Sequence, residues 1–479
     1  MGKKESNPSP KGLKRPKAPP APPKPPSLRY MKESEDNDDR IKREEKTKMK
    51  SLAINGGNKT RTKNFPPQPG PTLTSGYLDA VKDVLDSRVL SGFRGNNSDA
   101  FYGGKQVKLL EKEFKEYIGS EYAISCNSAT SGLHMACGAI GLQPGDEVIV
   151  TPWSMSCSAT APLVFGAIPV FADIEPDYFC LDPDDVERKI TDRTKAIIVV
   201  DLFGQPYDMR INEIAEKHNL VVIEDACQAI GSTMIVDDVS RMSGTLGNIG
   251  VFSFTQGKHI TSGEGGMCVT NNPLFGKSLQ LLRNHSEAVV KEDNDPDFDF
   301  RDLVGFNMRL SEIQAAILRV ELEKLDKYVE DRVTNADVIY NNLYANLGMD
   351  KDEKRPGATH SYYVQPIFTK NAKKIAEALK AELMPDEVRI DRGVPVNNGY
   401  IDPLYLVPLF QARTHWAFGL EENEGHSGVY EKGTCPVAER LTEDGLVISL
   451  LHGLDLSSDD LKDVCDAFVK VFSAFEGVE

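Results

Sequence analysis

The stretch Leu220-Val221-Val222-Ile223-Glu224-Asp225-Ala226-Cys227-Gln228 is a short apolar run that ends in two acids. A run that is apolar throughout, rather than alternating, predicts a strand buried on both faces of a parallel sheet. Similar runs recur along the chain and are separated by helical patterns at 183–190 and 210–218; they lie at 147–150, 168–172 and 196–200. This alternation predicts an α/β domain with a mainly parallel sheet.

Ligands of open parallel sheets bind outside the carboxyl ends of the strands, and polar residues follow two predicted strands there. Residues 126–132 come after a strand and open a helix, with small and hydroxyl side chains that suit an anion. Such helix starts are more often simple caps. Asp225 ends its strand, where its carboxylate either holds a protonated ring nitrogen or is solvated.

A third candidate is Lys258, which lies between an aromatic strand at 251–254 and a glycine-rich turn at 263–266. Burial there is expected to lower the pKa of the amine and make it nucleophilic. The alternative is a lysine on an ordinary tight turn. Taken together, an anion cradle, a carboxylate at a strand end and a confined lysine are the three parts that hold pyridoxal phosphate.

From about Gly70 onward the chain resembles the DegT/DnrJ/StrS family of sugar aminotransferases, which depend on pyridoxal phosphate. The resemblance rests on motifs spread along the whole chain: Pro144-Gly145-Asp146-Glu147, Phe203-Gly204-Gln205-Pro206, Glu224-Asp225-Ala226-Cys227-Gln228, Gly263-Glu264-Gly265-Gly266 and Met308-Arg309-Leu310-Ser311-Glu312. It implies fold type I architecture, with a large domain around the mainly parallel sheet and a smaller C-terminal α+β domain.

The resemblance also implies the roles of individual residues. Lys258 matches the Schiff-base lysine, Asp225 the partner of the pyridine nitrogen, and Gln228 the residue facing the phenolic oxygen of the cofactor. The implied phosphate ligands are the backbone of Ala129, the hydroxyls of Thr130 and Ser253, and Asn307, which is lent across a dimer interface. We therefore expect a homodimer with shared active sites.

The implied reaction moves an amino group from an amino acid, usually glutamate or glutamine, to a keto-sugar nucleotide in surface-polysaccharide or amino-sugar biosynthesis. Related sugar dehydratases have histidine at the lysine position, so Lys258 favours transamination. Two alternatives stay open: an aminotransferase for cyclitols of the inosose type, and a regulatory protein that keeps the fold without catalysis.

The sequence leaves the roles of several residues near the site unassigned. Where the family commonly stacks an aromatic ring on the cofactor, this chain has Met155 or Ser156, and Trp153 either substitutes or packs in the core. Four further residues could meet the substrate or serve the structure: His285, Arg309, Tyr405 and His452.

Composition limits the other functions. The 479 residues carry a net charge of −16 although residues 1–50 are basic, so the body should repel nucleic acid. The eight cysteines have no metal-site or disulfide spacing, and no apolar run is long enough to span a membrane, which predicts a cytoplasmic protein. The expected divisions are a disordered, proline-rich extension at 1–60, with 1–48 as an accessory addition, a cofactor domain at 61–325 and a small domain at 326–479.

Overall fold

A seven-stranded sheet forms the centre of the molecule. The computed structural model describes residues 46–290, 303–349, 354–383 and 396–475. The strands of the central sheet are β1 (Tyr122–Cys126), β2 (Glu147–Val150), β3 (Ile168–Phe171), β4 (Thr194–Val200), β5 (Val221–Asp225), β8 (Ile249–Ser253) and β9 (Gly266–Thr270), in the order β1-β9-β8-β5-β4-β2-β3. A separate hairpin pairs β6 (Thr233–Val236) with β7 (Val239–Met242).

Strand β9 runs in the direction opposite to the other six strands of this sheet. Those six strands are parallel to one another and therefore end at one edge of the sheet. Their side chains are buried on both faces, as the unbroken apolar runs predict. The expected α/β architecture with a mainly parallel sheet is therefore confirmed. The polar residues that follow β1, β5 and β8 come together at this edge.

Helices cover both faces of the sheet and form much of the second domain. Their bounds are α1 (Ser75–Ser87), α2 (Lys105–Ile118), α3 (Ala129–Ala139), α4 (Cys157–Thr160), α5 (Pro183–Lys189), α6 (Arg210–His218), α7 (Pro273–Arg283), α8 (Glu312–Leu322), α9 (Leu325–Leu347), α10 (Ala372–Leu383), α11 (Pro408–Ala412), α12 (Pro436–Asp444) and α13 (Ser458–Phe475). Within the described ranges, no helix combines the length and apolarity needed to cross a bilayer.

The smaller domain is built on a three-stranded antiparallel sheet. Its strands β10 (Gln365–Phe368), β11 (Val396–Asn398) and β12 (Leu446–Ser449) are ordered β10-β12-β11 and pack with α9, α10 and α13. Residues 46–60 pack on this domain, which differs from the disorder expected up to residue 60. Leu52 is fully buried, and the N–H groups of Ala53 and Thr60 donate to the Glu382 carboxylate. Residues 1–45 lie outside the described range.

Part of the C-terminal third packs on the large sheet instead of the small one. The ring of Phe171, on edge strand β3, contacts the rings of Tyr405, Phe410 and Tyr430. The Tyr430 hydroxyl also donates to the carbonyl of Pro169 at 2.8 Å. Residues 326–479 therefore do not all belong to the small domain, which differs from the expected division at 325. The aromatic cluster covers an edge strand of the large sheet that would otherwise be open.

A buried carboxyl pair stabilises the sheet beside the strand ends. Glu224 accepts N–H groups from Gly244, Leu246 and Gly247. Burial raises the pKa of Asp201 well above its usual range, and the charge of Glu224 raises it further. Asp201 therefore holds a proton at neutral pH, while Glu224 is the charged partner.

We predict opposite effects for amide substitutions in this pair. Asp201→Asn should be at least as stable as the wild type at pH 7, because an amide replaces a group that is already neutral. Its relative stability should grow as the pH rises above about 4, since only the wild type must keep a proton bound to fold. Glu224→Gln should lose about 3 kcal/mol, because its amide cannot accept all three N–H groups. Chemical denaturation from pH 5 to 8 measures both, and equal losses would contradict the assignment.

Candidate active site

The N-terminus of α3 presents backbone N–H groups at the edge of the sheet. The Ser128 hydroxyl caps the helix by accepting the N–H of Ser131 at 3.1 Å, and the N–H groups of Ala129 and Thr130 lie outside the helical ladder. A Cβ on Gly266 would stand 2.8 Å from the Ala129 nitrogen, so only glycine allows β9 to approach this closely. This explains one glycine of the 263–266 turn.

The predicted phosphate residues converge at this helix start. Ser253 pairs with Gly266 in the sheet, and Gly266 in turn contacts the backbone at Ser128 and Ala129. Thr130 is exposed at the first turn, and its hydroxyl lies beside the Cys157 thiol. The cluster offers backbone N–H groups and hydroxyls at a helix N-terminus, which is the chemistry that binds a phosphate.

Asp225 is the buried carboxylate at the end of β5. It accepts the Ser158 hydroxyl at 2.9 Å and the backbone N–H of Cys227 at 3.2 Å. Both donors are neutral, and the carboxylate has room to accept a further hydrogen bond from a protonated ring nitrogen. Ser158 was not identified from the sequence, because a serine in a run of small polar residues carries no signal of its own.

Gln228 is fixed so that its amide nitrogen faces the site. Its Oε1 accepts the backbone N–H of Phe203 at 2.9 Å, and its Nε2 donates to the Tyr400 hydroxyl at 3.0 Å. A donor held in this way suits a phenolic oxygen. Tyr400 was not identified from the sequence, because long-range packing brings it to Gln228.

Lys258 is buried, with its Nζ 4.3 Å from the centre of the Tyr363 ring. Burial alone lowers the pKa of this amine, as expected from the sequence. However, four neighbouring acidic groups outweigh burial and raise the pKa above its ordinary value; they are Tyr363, Cys227, Tyr400 and Asp225. The expectation of a lowered pKa is therefore wrong for the cofactor-free chain, because burial among acidic groups favours the charged amine.

The candidates for ring stacking lie in different environments. Trp153 is fully buried, donates its Nε1–H to the carbonyl of Ile401 at 2.7 Å, and packs edge-on against Phe203. It is therefore a core residue. Met155 and Ser156 are exposed.

The four residues that could meet the substrate also lie in different environments. Tyr405 and His452 are buried; Tyr405 donates to Glu439, and the His452 ring nitrogen Nε2 lies 2.6 Å from the carbonyl of Tyr362. Both have structural roles. Arg309 donates to the Asn284 side chain at 2.6 Å, and His285 is partly exposed.

Asn307 is exposed beside the start of α3. Its neighbour Met308 accepts the backbone N–H of Asn127 at 3.0 Å, so this segment runs along the polar helix start.

These residues fit pyridoxal phosphate. The helix start would hold the phosphate, Asp225 the ring nitrogen, Gln228 the phenolic oxygen and Lys258 the aldehyde carbon. The fold and the site together define a fold type I, pyridoxal-phosphate-dependent aminotransferase.

The chain belongs to the DegT/DnrJ/EryC1/StrS aminotransferase family, whose model matches residues 94–469. It is 34% identical to the L-glutamine:2-deoxy-scyllo-inosose aminotransferase of Streptomyces kanamyceticus, over 88% of this chain and 96% of that protein. It is 29% identical to the GDP-perosamine synthase of Vibrio cholerae, over 84% and 98%. The solved aminotransferase from Psychrobacter cryohalolentis superposes with a TM-score of 0.68 at 29% identity, over 86% and 100%. The expected family, cofactor and transaminase activity are thus confirmed.

We predict that covalent loading of the cofactor depends steeply on pH. Since the raised pKa keeps Lys258 protonated at neutral pH, the fraction of free amine should grow about tenfold per pH unit from pH 7 to 9. The rate at which absorbance appears near ~420 nm after mixing cofactor-free protein with pyridoxal phosphate should rise in proportion. Lys258→Ala is the control and should show no band. A rate that does not change across this range would contradict the raised pKa.

Proposed function

We propose that this aminotransferase aminates the carbonyl group of a nucleotide-linked keto-sugar, with glutamate or glutamine as the amino donor, in amino-sugar or surface-polysaccharide biosynthesis. The observation that carries the proposal is the buried Lys258 amine beside the Asp225 carboxylate at the sheet edge. The GDP-perosamine synthases among its relatives support the acceptor class. The eight free thiols suit the reducing cytoplasm.

The chain's own side chains have distinct roles in this reaction. When bound, pyridoxal phosphate supplies an aldehyde that exchanges amines and a ring that withdraws electrons from the substrate carbon. Asp225 would hold the ring nitrogen of the cofactor in its protonated form, because the Ser158 hydroxyl and the Cys227 backbone N–H keep the carboxylate in place. Lys258 would hold the aldehyde carbon of the cofactor, and its amine, when free, would be the base that takes up the proton of the substrate carbon. The Tyr363 ring limits where its amine can swing.

A cyclitol ketone is the second candidate acceptor, and a specific observation favours it. Three relatives named L-glutamine:2-deoxy-scyllo-inosose aminotransferase match 88% of this chain at 32–34% identity. Cyclitols and sugars share a ring of hydroxyl groups, so the cofactor residues described above serve both. The two acceptors differ in the nucleotide, which only the keto-sugar carries.

We predict that glutamate or glutamine converts the cofactor to its amine form and that one acceptor class restores it. Nucleotide-linked 4-keto-sugars and 2-deoxy-scyllo-inosose are offered in parallel, and the return of absorbance near ~420 nm is followed together with product mass. Recovery with the keto-sugar alone supports the first candidate, and recovery with the inosose alone supports the second. Failure of both acceptors after a successful first half-reaction would contradict both proposals.

We also propose that the enzyme works as a homodimer with shared active sites. Residues 73–90 carry an unusually exposed apolar row, and Leu73 alone is 89% exposed. The other members of the row are Leu78, Leu85, Val89 and Leu90. A concentration of exposed apolar side chains in one segment is typical of a subunit interface. Asn307 would then complete the phosphate site of the partner.

Mixed dimers test the shared site. In a dimer of one Lys258→Ala chain and one Asn307→Ala chain, sharing of Asn307 leaves one site with both native residues. Co-expressed chains that pair at random should therefore recover about a quarter of wild-type activity, whereas either variant alone should be much weaker. If mixing gives no more than the sum of the two variants, Asn307 acts within its own chain or the protein is a monomer.

A further inference from the structure

A small recess, with a volume of about 10 Å³, lies behind the turn that carries Lys258, between the two domains, and opens to solvent. Its walls include Gln68 and His259 on the lysine side, and Arg332, His452, Gly453 and Leu454 on the side of the small domain. The cofactor residues Asp225, Gln228 and Ser253 do not line it. The recess is therefore separate from the catalytic site, although His259 directly follows Lys258 in the chain.

The buried charged group in this recess is the guanidinium of Arg332. The residue is only 5% exposed, and its one hydrogen bond within the described residues runs from Nη1 to the carbonyl of Tyr362 at 3.3 Å. The guanidinium packs on Gly453, where an added Cβ would stand 2.6 Å from Nη1. The position of the charge is thus fixed by the backbone around it.

Arg332 differs from the other buried arginines in lacking a counter-charge. Arg283 pairs with Glu111, Arg355 with Glu175 and Asp208, and Arg61 with Asp460 and Asp463. Across the described ranges, no carboxylate lies within 4 Å of Arg332. An uncompensated buried charge is strongly destabilising. We therefore expect Arg332 to have a counter-charge that comes from outside the described residues.

The neighbouring side chains do not supply that partner. The imidazoles of His259 and His452 each direct Nε2 at a backbone carbonyl, those of Ser361 and Tyr362, and burial with the charge of Arg332 lowers the pKa of both rings. They are therefore neutral at pH 7. Asp331 lines the recess too, but its carboxylate is half exposed and pairs with Lys327 at 2.6 Å.

We propose that this recess binds a small inorganic anion, with chloride as the abundant candidate, as the counter-ion of Arg332. The anion would accept hydrogen bonds from the guanidinium and remove the cost of its buried charge. It would also tie the small domain to the turn that carries Lys258, because His259 and Gln68 form the opposite wall. The site is independent of the transamination chemistry.

Bromide tests the site directly, because it replaces chloride and is located by anomalous scattering. Crystals of the wild-type holoenzyme grown in sodium bromide should show one bromide at the Arg332 guanidinium. Thermal unfolding should show a saturable rise in Tm of about 2 °C when chloride replaces gluconate, which is too bulky for the recess, at constant ionic strength. Arg332→Gln should abolish the rise.

The matched control is Arg193→Gln, because Arg193 also donates to backbone carbonyls, those of Glu422 and Glu424, but is exposed. It should keep the full response to chloride. Water alone in the recess of the bromide crystal would overturn the proposal, and this result needs no variant to fold. An equal Tm rise in Arg332→Gln would overturn it as well.

Discussion

The site depends on one electrostatic constraint, a carboxylate buried at the end of a parallel strand with only neutral donors around it. Asp225 accepts from the Ser158 hydroxyl and from the Cys227 backbone N–H, so its carboxylate is held inside the protein by neutral donors. In the cofactor-free chain this charge is one of those that raise the pKa of Lys258. A protonated ring nitrogen would form an ion pair with this carboxylate and weaken its effect on the lysine. Binding of the cofactor would therefore be linked to the release of a proton from Lys258.

Residues at the junction between the two domains determine the surroundings of Lys258 and Gln228. Tyr363 and Tyr400 come from the chain beyond residue 325, yet they contact the lysine amine and the Gln228 amide of the large domain. On the opposite side, Gln68 donates to the Lys258 carbonyl. A shift of the small domain would therefore change the surroundings of the lysine directly. Residues of the small domain thus reach the site of the large domain.

The fold could be predicted from the sequence because its signals are local. Unbroken apolar runs identify the strands of a two-sided sheet, and the residues that follow β1, β5 and β8 must share one edge. The same topology brings Asp225, Ser253 and Lys258 together. Ser158, Tyr363 and Tyr400 could not be found this way, since tertiary packing alone brings them to the site. The raised pKa of Lys258 could not be predicted for the same reason, because the sequence indicates burial but not which groups surround the amine.

The central claim is that Lys258 carries the cofactor and exchanges it with an amino donor. The most direct measurement is the absorbance of the holoenzyme before and after glutamate or glutamine, beside Lys258→Ala. The account predicts a band near ~420 nm that moves toward ~330 nm with the donor and is absent from the variant. A wild-type spectrum without that band, or a band unchanged in Lys258→Ala, would contradict it and leave a non-catalytic role for the fold.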